Sequence, residues 1–223
     1  ISNCIVRWPS DAAKIPPRST LKGCDTDTIS EVGLALEIVD GGFMDQVAIS
    51  NISMTGIQTP LFIRLGSRRG RGTLKNVVVS NITATNESLI TSSITGIPGS
   101  YVENVVVKDI IFNYIGTGTM KEANAPVPEK EKSYPENRMF GYSRPAYGLY
   151  VRHVKNLSVE NFTFHLIAPD ARPAVVLDDC HNITMTDFNL DTPSQEQPLF
   201  RLIQSTNVTL SGYQSIEPIS KFL

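Results

Sequence analysis

The sequence has few of the residues that usually identify a catalytic or metal-binding site. Among 223 residues there are three cysteines, three histidines and one tryptophan. The histidines lie far apart along the chain and lack the spacing of metal ligands. Three cysteines are too few to indicate a disulfide framework. Glycine-rich phosphate loops and nucleophile motifs are also missing. No short local motif therefore identifies a function class. We expect no metal and no cofactor.

Charge and hydrophobic runs are also weak signals. The net charge is -2, from 20 basic and 22 acidic residues, so no strong field favours nucleic acid or an anionic membrane. No window approaches the roughly 18 apolar residues of a membrane span, and no signal peptide is visible. We therefore expect no nucleic-acid or membrane partner. We also expect a monomer.

What the sequence does contain is a repeat. An apolar strand, a turn at Asn or Asp and a second short strand recur along the chain, with onsets at positions 47, 77, 105, 157, 183 and 208. The intervals are 30, 28, 52, 26 and 25 residues, and the longest is either two periods or one period with an excursion. Apolar residues alternate within each unit, as they do in half-buried strands. A period of this length built from short strands predicts an all-β solenoid.

The recurrent turn residue has a physical explanation. Asn and Asp tolerate the left-handed backbone that a tight bend between strands requires. Stacked from one coil to the next, their side chains would form an internal ladder of hydrogen bonds. The positions concerned are Asn51, Asn81, Asp109, Asn161 and Asp187. We expect a ladder rather than five independent turns.

A third strand follows in each unit, and its alternation predicts a polar column. If the apolar positions Leu36, Ile63, Ile94, Val151, Leu177 and Leu202 point inward, their neighbours point outward. These neighbours are Glu37, Arg64, Thr95, Arg152, Asp178 and Arg201. The column is either a self-neutralising solvated face or a polar binding cleft. On the second reading, Glu37, Arg64, Arg152 and Asp178 are candidate substrate-binding residues.

Two segments interrupt the period, and we interpret residues 1–223 as one domain with loop excursions at 7–32 and 115–147. The chain begins inside a repeat, so we expect that coils are missing before Ile1. Long loops in a compact repeat fold are usually functional or disordered. The excursion at 115–147, called the excursion below, carries aromatic, arginine and glutamate side chains that suit sugar binding. The candidates are Tyr134, Glu136, Arg138 and Tyr147.

Five stretches together resemble glycoside hydrolase family 28, the polygalacturonase-like enzymes, and in particular its bacterial branch. They are LEIVDGG at 36–42, FIRLG at 62–66, SITGIPG at 93–99, PEKEKSYPE at 128–136 and ARPAVVLDD at 171–179. The resemblance covers nearly the whole chain. It implies a right-handed single-stranded parallel β-helix of about six to seven coils and a secreted or periplasmic enzyme that hydrolyses pectic polysaccharide with inversion.

The catalytic motifs of that family match this sequence only in part. The family's Arg-Ile-Lys motif is represented by Arg64, with Gly66 where a lysine is expected, and Val32 precedes Gly33 where a Gly-His-Gly motif is expected. The resemblance places the two aspartate motifs upstream of Ile1. We therefore expect the principal acid and base to be absent and the chain to be inactive alone, with Glu37 and then Asp40 as weaker local candidates.

Two other function classes remain open at this stage. A polysaccharide lyase on the same fold would need calcium-binding carboxylates, for which Asp178 and Asp179 are a possible start. A non-catalytic β-helix would be a carbohydrate-binding module or a trimeric spike. Arg64 itself has two interpretations, as a fork for a uronate carboxylate or as the ion-pair partner of Glu37.

Overall fold

Parallel β-strands make up most of the described backbone. The computed structural model of the protein describes residues 1–6, 30–134 and 136–213. Its strands are β1 (Ser2–Val6), β2 (Ser30–Asn86), β3 (Ser92–Thr95), β4 (Val102–Tyr114), β5 (Leu149–Leu166), β6 (Val175–Leu190), β7 (Phe200–Ile203) and β8 (Thr206–Tyr213). A short helix, α1 (Met120–Ala123), and a 3₁₀ helix (Asn137–Phe140) lie between β4 and β5. None of the described helices is long and apolar enough to cross a membrane. The predicted all-β class is confirmed.

Successive repeats pair in parallel and in register. Val77 of β2 lies opposite Val105 of β4, which lies opposite Leu157 of β5. Leu157 lies opposite Ile183 of β6, and Ile183 opposite Val208 of β8. The repeat onsets predicted from the sequence are therefore spatial neighbours. Because β4 pairs directly with β5, the interval of 52 residues is one period interrupted by the excursion.

The core consists of columns of like residues at equivalent positions of neighbouring repeats. One column contains Ile82, Ile110, Phe162 and Phe188, and each of them is nearly inaccessible to solvent. In the adjacent column the rings of Phe112 and Phe164 stack at 6.1 Å with an interplanar angle of 12°. Burial of one such side chain contributes about 1.5–3 kcal/mol. This packing accounts for the regular apolar alternation in the sequence.

The predicted ladder of turn residues is present. All five predicted positions have a positive φ, between 47° and 59°. Asn81 Nδ2 donates to Asn51 Oδ1 at 2.7 Å, and Asn51 Nδ2 donates to Asn3 Oδ1 at 3.0 Å. Further along, Asn161 Nδ2 donates to Asp109 Oδ1 at 2.8 Å. The turn side chains therefore bond from coil to coil in two segments, and among the described residues no side-chain hydrogen bond joins Asp109 to Asn81 or Asp187 to Asn161.

A second ladder, which the sequence analysis missed, runs along another corner of the stack. Its asparagines precede the strand that begins each repeat, and they also have positive φ. Each amide donates to a side chain of the preceding unit at 2.7–3.0 Å. The ladder consists of Asn76, Asn104, Asn156, Asn182 and Asn207, with Asp45 as its first acceptor. Two corners of each unit are thus fixed by side-chain amides.

The third strands also stack in register. Ile63 of β2, Ile94 of β3, Val151 of β5 and Leu177 of β6 lie opposite one another and are fully buried, as predicted. Leu202 of β7 pairs with Leu177 but is 45% exposed. Among the described residues β7 has a neighbouring strand on one side only, so this inward position is not covered.

Of the two predicted excursions, most of 7–32 lies outside the described residues. The segment 115–147 carries α1 and the 3₁₀ helix and contains no β-strand among its described residues. It packs back onto the third strands, with its own Phe140 buried against them. This placement determines which polar side chains of the stack reach solvent.

Candidate functional site

The predicted polar column forms on the third strands. Arg64 lies opposite Thr95, Thr95 opposite Arg152, and Arg152 opposite Asp178. Arg201 lies on the predicted outward face, but its register differs from that of the other members, since it lies opposite Val176 and Ile203 lies opposite Asp178. The shift of two residues keeps Arg201 on the same face. The column is not a solvated face, because Arg64, Thr95 and Arg152 are buried under the excursion.

Arg64 binds the excursion instead of an open cleft. Its Nη1 donates to the Gly96 carbonyl at 3.0 Å, and its Nη2 donates to the carbonyls of Glu129 and Lys130 at 3.3 and 3.1 Å. Burial, followed by the nearby Arg152 charge, lowers the pKa of Arg64 to about 10. Neither predicted role describes these contacts, since the guanidinium is inaccessible and donates to main-chain oxygens.

Arg152 does the same two coils further along, beyond Thr95. It donates to the carbonyls of Val127 and Pro128 at 2.7 and 2.9 Å, and it lies 3.4 Å from a carboxylate oxygen of Glu129. Arg64 and Arg152 both lie over the ring of Phe140, at 5.1 and 5.8 Å from its centroid. Buried guanidinium groups need such partners. The two arginines therefore hold the excursion over the column.

Glu37 is a half-buried carboxyl group at the edge of this covered region. Burial raises its pKa to about 7, against a lowering effect of Arg64 and a raising effect of Glu136. Glu136, on the excursion, is also half-buried, and burial is the main cause of its raised pKa. It caps the 3₁₀ helix by accepting a hydrogen bond from the Arg138 amide at 3.1 Å. Two carboxyl groups with raised pKa values thus lie within electrostatic reach of each other.

Asp40, the second catalytic candidate, has a different environment. It is exposed, and Arg68 binds it through both guanidinium ends, with Nε donating to Oδ1 at 2.7 Å and Nη2 donating to Oδ2. The hydrogen bond from Arg68 is the main reason that the pKa of Asp40 lies below its usual value. Asp40 is therefore an ionised partner of Arg68. The ring of Tyr134 lies 5.3 Å from the same guanidinium and is 66% exposed.

Ile1 contributes no catalytic group. The principal acid and base are expected upstream of it. Its side chain is aliphatic and 77% exposed. Its carbonyl accepts from the Ser50 amide at 3.0 Å, and its amino group donates to the Ala48 carbonyl at 3.2 Å. These contacts place Ile1 beside β2, in register with the repeat. The position of the expected catalytic aspartates stays a prediction.

The remaining excursion candidates are not all at a surface. Arg138 donates from Nε to Gln58 Oε1 at 3.1 Å, and it lies over the ring of Tyr142. Tyr147, predicted as a substrate-binding residue, is fully buried in the main core. Its hydroxyl donates to the Asp191 carbonyl at 2.7 Å, and burial raises its pKa. Tyr147 packs inward because it lies next to the start of β5, so its assignment to a binding surface is corrected.

A polar network around His153 was not found from the sequence. His153 Nδ1 lies 2.6 Å from Asp179 Oδ2, and its Nε2 lies 3.1 Å from Glu129 Oε2. Tyr101 donates to Asp179 Oδ2 at 2.9 Å, and His181 Nε2 lies 3.1 Å from Asp179 Oδ1. The available signal was the register, because His153 and Asp179 each follow a member of the polar column. The network joins the corner of the stack to the excursion.

Within the ranges that the structure describes, no group of three or more His, Cys, Asp or Glu side chains is arranged to hold a metal ion. Asp179 is instead surrounded by His153, Tyr101 and His181.

Comparison with known proteins adds little to this geometry. No protein-family model matches the chain. One solved structure with a similar arrangement comes from Parabacteroides merdae and is described as that of a proposed glycosyl hydrolase. The two chains are 9% identical, the TM-score is 0.36, and the match covers 82% of this chain and 83% of that chain. A similarity of this size supports no argument about function.

Proposed function

We propose that this chain is part of an inverting glycosidase that hydrolyses pectic or related acidic polysaccharide, in which the stacked parallel repeats form a right-handed β-helix. The protein would act as a secreted or periplasmic monomer. The observation that carries the proposal is the half-buried carboxyl group of Glu37, whose pKa is raised to about 7 beside a second carboxyl group, Glu136.

Glycosidic hydrolysis needs a carboxylic acid that still holds its proton near neutral pH. Glu37 meets this requirement because burial disfavours its ionised form. Asp40 does not, since Arg68 keeps it ionised. Glu37 is therefore the better of the two local candidates for the proton donor.

An acidic substrate suits the surroundings of these carboxyl groups. Arg68 and Arg69 both act on Asp40, so two guanidinium groups lie near this one carboxylate. The exposed ring of Tyr134 lies beside Arg68 and could stack on a sugar ring. Guanidinium groups and an aromatic face together favour a uronic-acid polymer.

The test is calorimetric titration of oligogalacturonides into the 223-residue chain between pH 5 and pH 8. We expect binding that weakens as the pH rises through about 7, because ionised Glu37 repels an acidic ligand. Glu37→Gln should bind with no such pH dependence. Glu103→Gln, on a different strand, should behave as the unmodified chain.

Absence of binding throughout this range would refute the proposal, and so would an unchanged pH dependence in Glu37→Gln. A reducing-end assay completes the test. Since the family resemblance places the principal aspartates upstream of Ile1, we expect no cleavage by this chain, and measurable cleavage would contradict that expectation.

Among the alternatives, the lyase is not favoured by any contact. The calcium site of a lyase would include Asp178 and Asp179. Asp179 instead accepts a hydrogen bond from Tyr101 and contacts two histidines. Calcium titration with detection of unsaturated products separates the two classes. A non-catalytic carbohydrate-binding module would bind oligosaccharide without the dependence on Glu37.

A further inference from the structure

A cavity lies beyond the covered part of the polar column. It has a volume of about 280 Å³ and lies between the third strands and the first half of the excursion. Its walls come from residues 123–127 and Pro145 on one side and from strands β5, β6 and β7 on the other. Pockets for drug-sized ligands usually start at about 300 Å³, so this one has room for a single small ring.

The cavity has one acidic and one basic side chain that do not neutralise each other. Asp178 is half-buried and accepts a hydrogen bond from the Tyr150 hydroxyl at 3.3 Å through Oδ2. Arg201 donates from Nη1 to the Ala123 carbonyl at 2.5 Å. Within the described part of the chain, no ion pair joins Asp178 to Arg201. Asp178 Oδ1 and the other nitrogens of Arg201 therefore keep bonding capacity on the cavity side.

The register explains why these groups stay apart. Arg201 lies opposite Val176, and Asp178 lies opposite Ile203, so the two charges are offset diagonally across neighbouring strands. Val176 and Ile203 line the cavity beside these charges, and the accessible apolar surface there comes from Ile203, which is 42% exposed, while Val176 is fully buried beneath it. The result is an apolar patch with a strong acceptor at one side and a donor at the other.

This combination selects the charge of a ligand. An anion would be attracted by Arg201 but repelled by Asp178, and a cation would meet the reverse. A neutral ring with adjacent hydroxyl groups satisfies both, because a hydroxyl donates to the carboxylate and accepts from the guanidinium. The CH face of a pyranose would pack on the apolar patch.

We propose that the cavity lined by Tyr150, Val176, Asp178, Arg201 and Ile203 is a binding site for a neutral pyranose. This inference deepens the proposed function and rests on it for the class of polymer that is bound. The polysaccharide bound by this protein would contain neutral sugar residues as well as uronic acids, and this site would bind one of the neutral residues.

The experiment is saturation-transfer NMR on the full chain with methyl galactoside and methyl galacturonide as matched probes. We expect saturation transfer to the neutral glycoside. The dissociation constant of the uronide should be at least about tenfold larger, because Asp178 faces its carboxylate. Asp178→Asn should weaken the neutral ligand about tenfold, since a charged acceptor is lost. The same change should reduce the discrimination against the uronide.

Two controls make the result decisive. Glu103→Gln changes an acid on another strand and should leave both affinities unchanged. Ile203→Ser removes apolar surface without touching either charge and should weaken the neutral glycoside while the discrimination is kept. Thermal unfolding of each variant checks that it is folded.

Absence of transfer to the neutral glycoside would overturn the inference, as would equal affinity in Asp178→Asn and the unmodified chain or a preference for the uronide. Failure here is distinguishable from failure of the proposed function. If oligogalacturonides bind with the Glu37-dependent pH profile while the neutral glycoside does not bind, only the present inference is wrong.

Discussion

His153 lies between two carboxylates that belong to different parts of the protein. Its Nδ1 is 2.6 Å from Asp179 on the neighbouring coil, and its Nε2 is 3.1 Å from Glu129 on the excursion. Both contacts are hydrogen bonds at once only when both ring nitrogens carry a proton. The histidine therefore connects the stack to the segment that covers the polar column.

Replacement of Asp179 by Asn tests this connection. Burial raises the pKa of Asp179, but hydrogen bonds from His153 and Tyr101 outweigh it, so the pKa lies below the ordinary value of 3.8. A carboxyl group whose pKa is lower in the folded than in the unfolded state stabilises the fold at pH values above its unfolded pKa. This stability is lost as the pH falls through the folded pKa. We expect Asp179→Asn to cost about 1 kcal/mol at pH 7, after allowance for solvent screening, and almost nothing at a pH of about 2.

The first measurement is urea unfolding at the two pH values. The second is the rate of trypsin cleavage after Lys130 and Lys132, which follow Glu129 on the excursion. Cleavage should accelerate in Asp179→Asn. A loss of stability that is the same at both pH values would contradict the role assigned to the carboxylate.

Glu37 should make the protein less stable in alkaline than in acid solution. Its folded pKa of about 7 exceeds the ordinary value of 4.5, so the folded state binds more protons between these limits. The free energy of unfolding therefore falls as the pH rises from 4.5 to 7 and stays level above that. Glu37→Gln lacks this loss and should be more stable than the unmodified chain by about 1–2 kcal/mol at pH 8, a value discounted for partial exposure.

At pH 4.5 the two proteins should be nearly equal, because Gln resembles the neutral acid. Urea titrations at the two pH values give the difference, with Glu103→Gln as control. A stability difference independent of pH would show that the Glu37 carboxyl group titrates normally.

Arg64 should be required for folding of the excursion rather than for binding of a uronate. In Arg64→Lys a single ammonium group replaces a fork that reaches the carbonyls of Gly96, Glu129 and Lys130. We expect a loss of about 2–3 kcal/mol in the free energy of unfolding. The exposed Arg69→Lys should change it by less than about 0.5 kcal/mol. If Arg64→Lys were as stable as the unmodified chain but failed to bind oligogalacturonides, the ligand role would be restored.

Asn156 allows the two contributions of a ladder residue to be separated. Its φ is 56°, it donates to Asn104 at 2.9 Å, and it accepts from Asn182 at 3.0 Å. Asn156→Gly loses the hydrogen bonds but suits the left-handed region, whereas Asn156→Ala loses the same hydrogen bonds and keeps a Cβ there without the polar side chain that makes this conformation tolerable for Asn. We expect losses of about 1 kcal/mol for Gly and about 2–3 kcal/mol for Ala by chemical unfolding. Equal losses would mean that the backbone conformation contributes nothing.

The sequence predicted what the repeat determines. The alternation placed Arg64, Thr95 and Arg152 at equivalent heights, because a period of two leaves no freedom once the register is known. It did not predict that the excursion covers them, since the path of a long loop does not follow from the repeat. The raised pKa of Glu37 comes from burial at the edge of that same cover, so it was not readable either.

The His153 network was missed for a different reason. The three histidines were judged by their separation along the chain, whereas a stacked repeat brings together residues about one period apart. Once Arg152 is opposite Asp178, the next residue of each strand, His153 and Asp179, must also be neighbours. In a fold of this kind, candidate sites are better sought by position within the repeat than by spacing in the sequence.

The second ladder has a direction, and its first acceptor shows why it stops there. Every amide from Asn76 to Asn207 donates towards the preceding unit, and the series ends at Asp45. The left-handed position beside Asp45 is held by Gln46 instead of an asparagine. An ionised carboxylate accepts but has no proton to pass on, so Asp45 terminates the series of donors.

The first ladder follows the same rule in its middle. Asn161 donates to Asp109, but among the described residues no side-chain hydrogen bond continues from Asp109 to Asn81. An asparagine relays a hydrogen bond because it both donates and accepts, whereas an aspartate only receives one. The exchange of a single amide for a carboxylate thus divides a corner of the stack into separate directional segments, and these segments can be read from the sequence once the repeat is aligned.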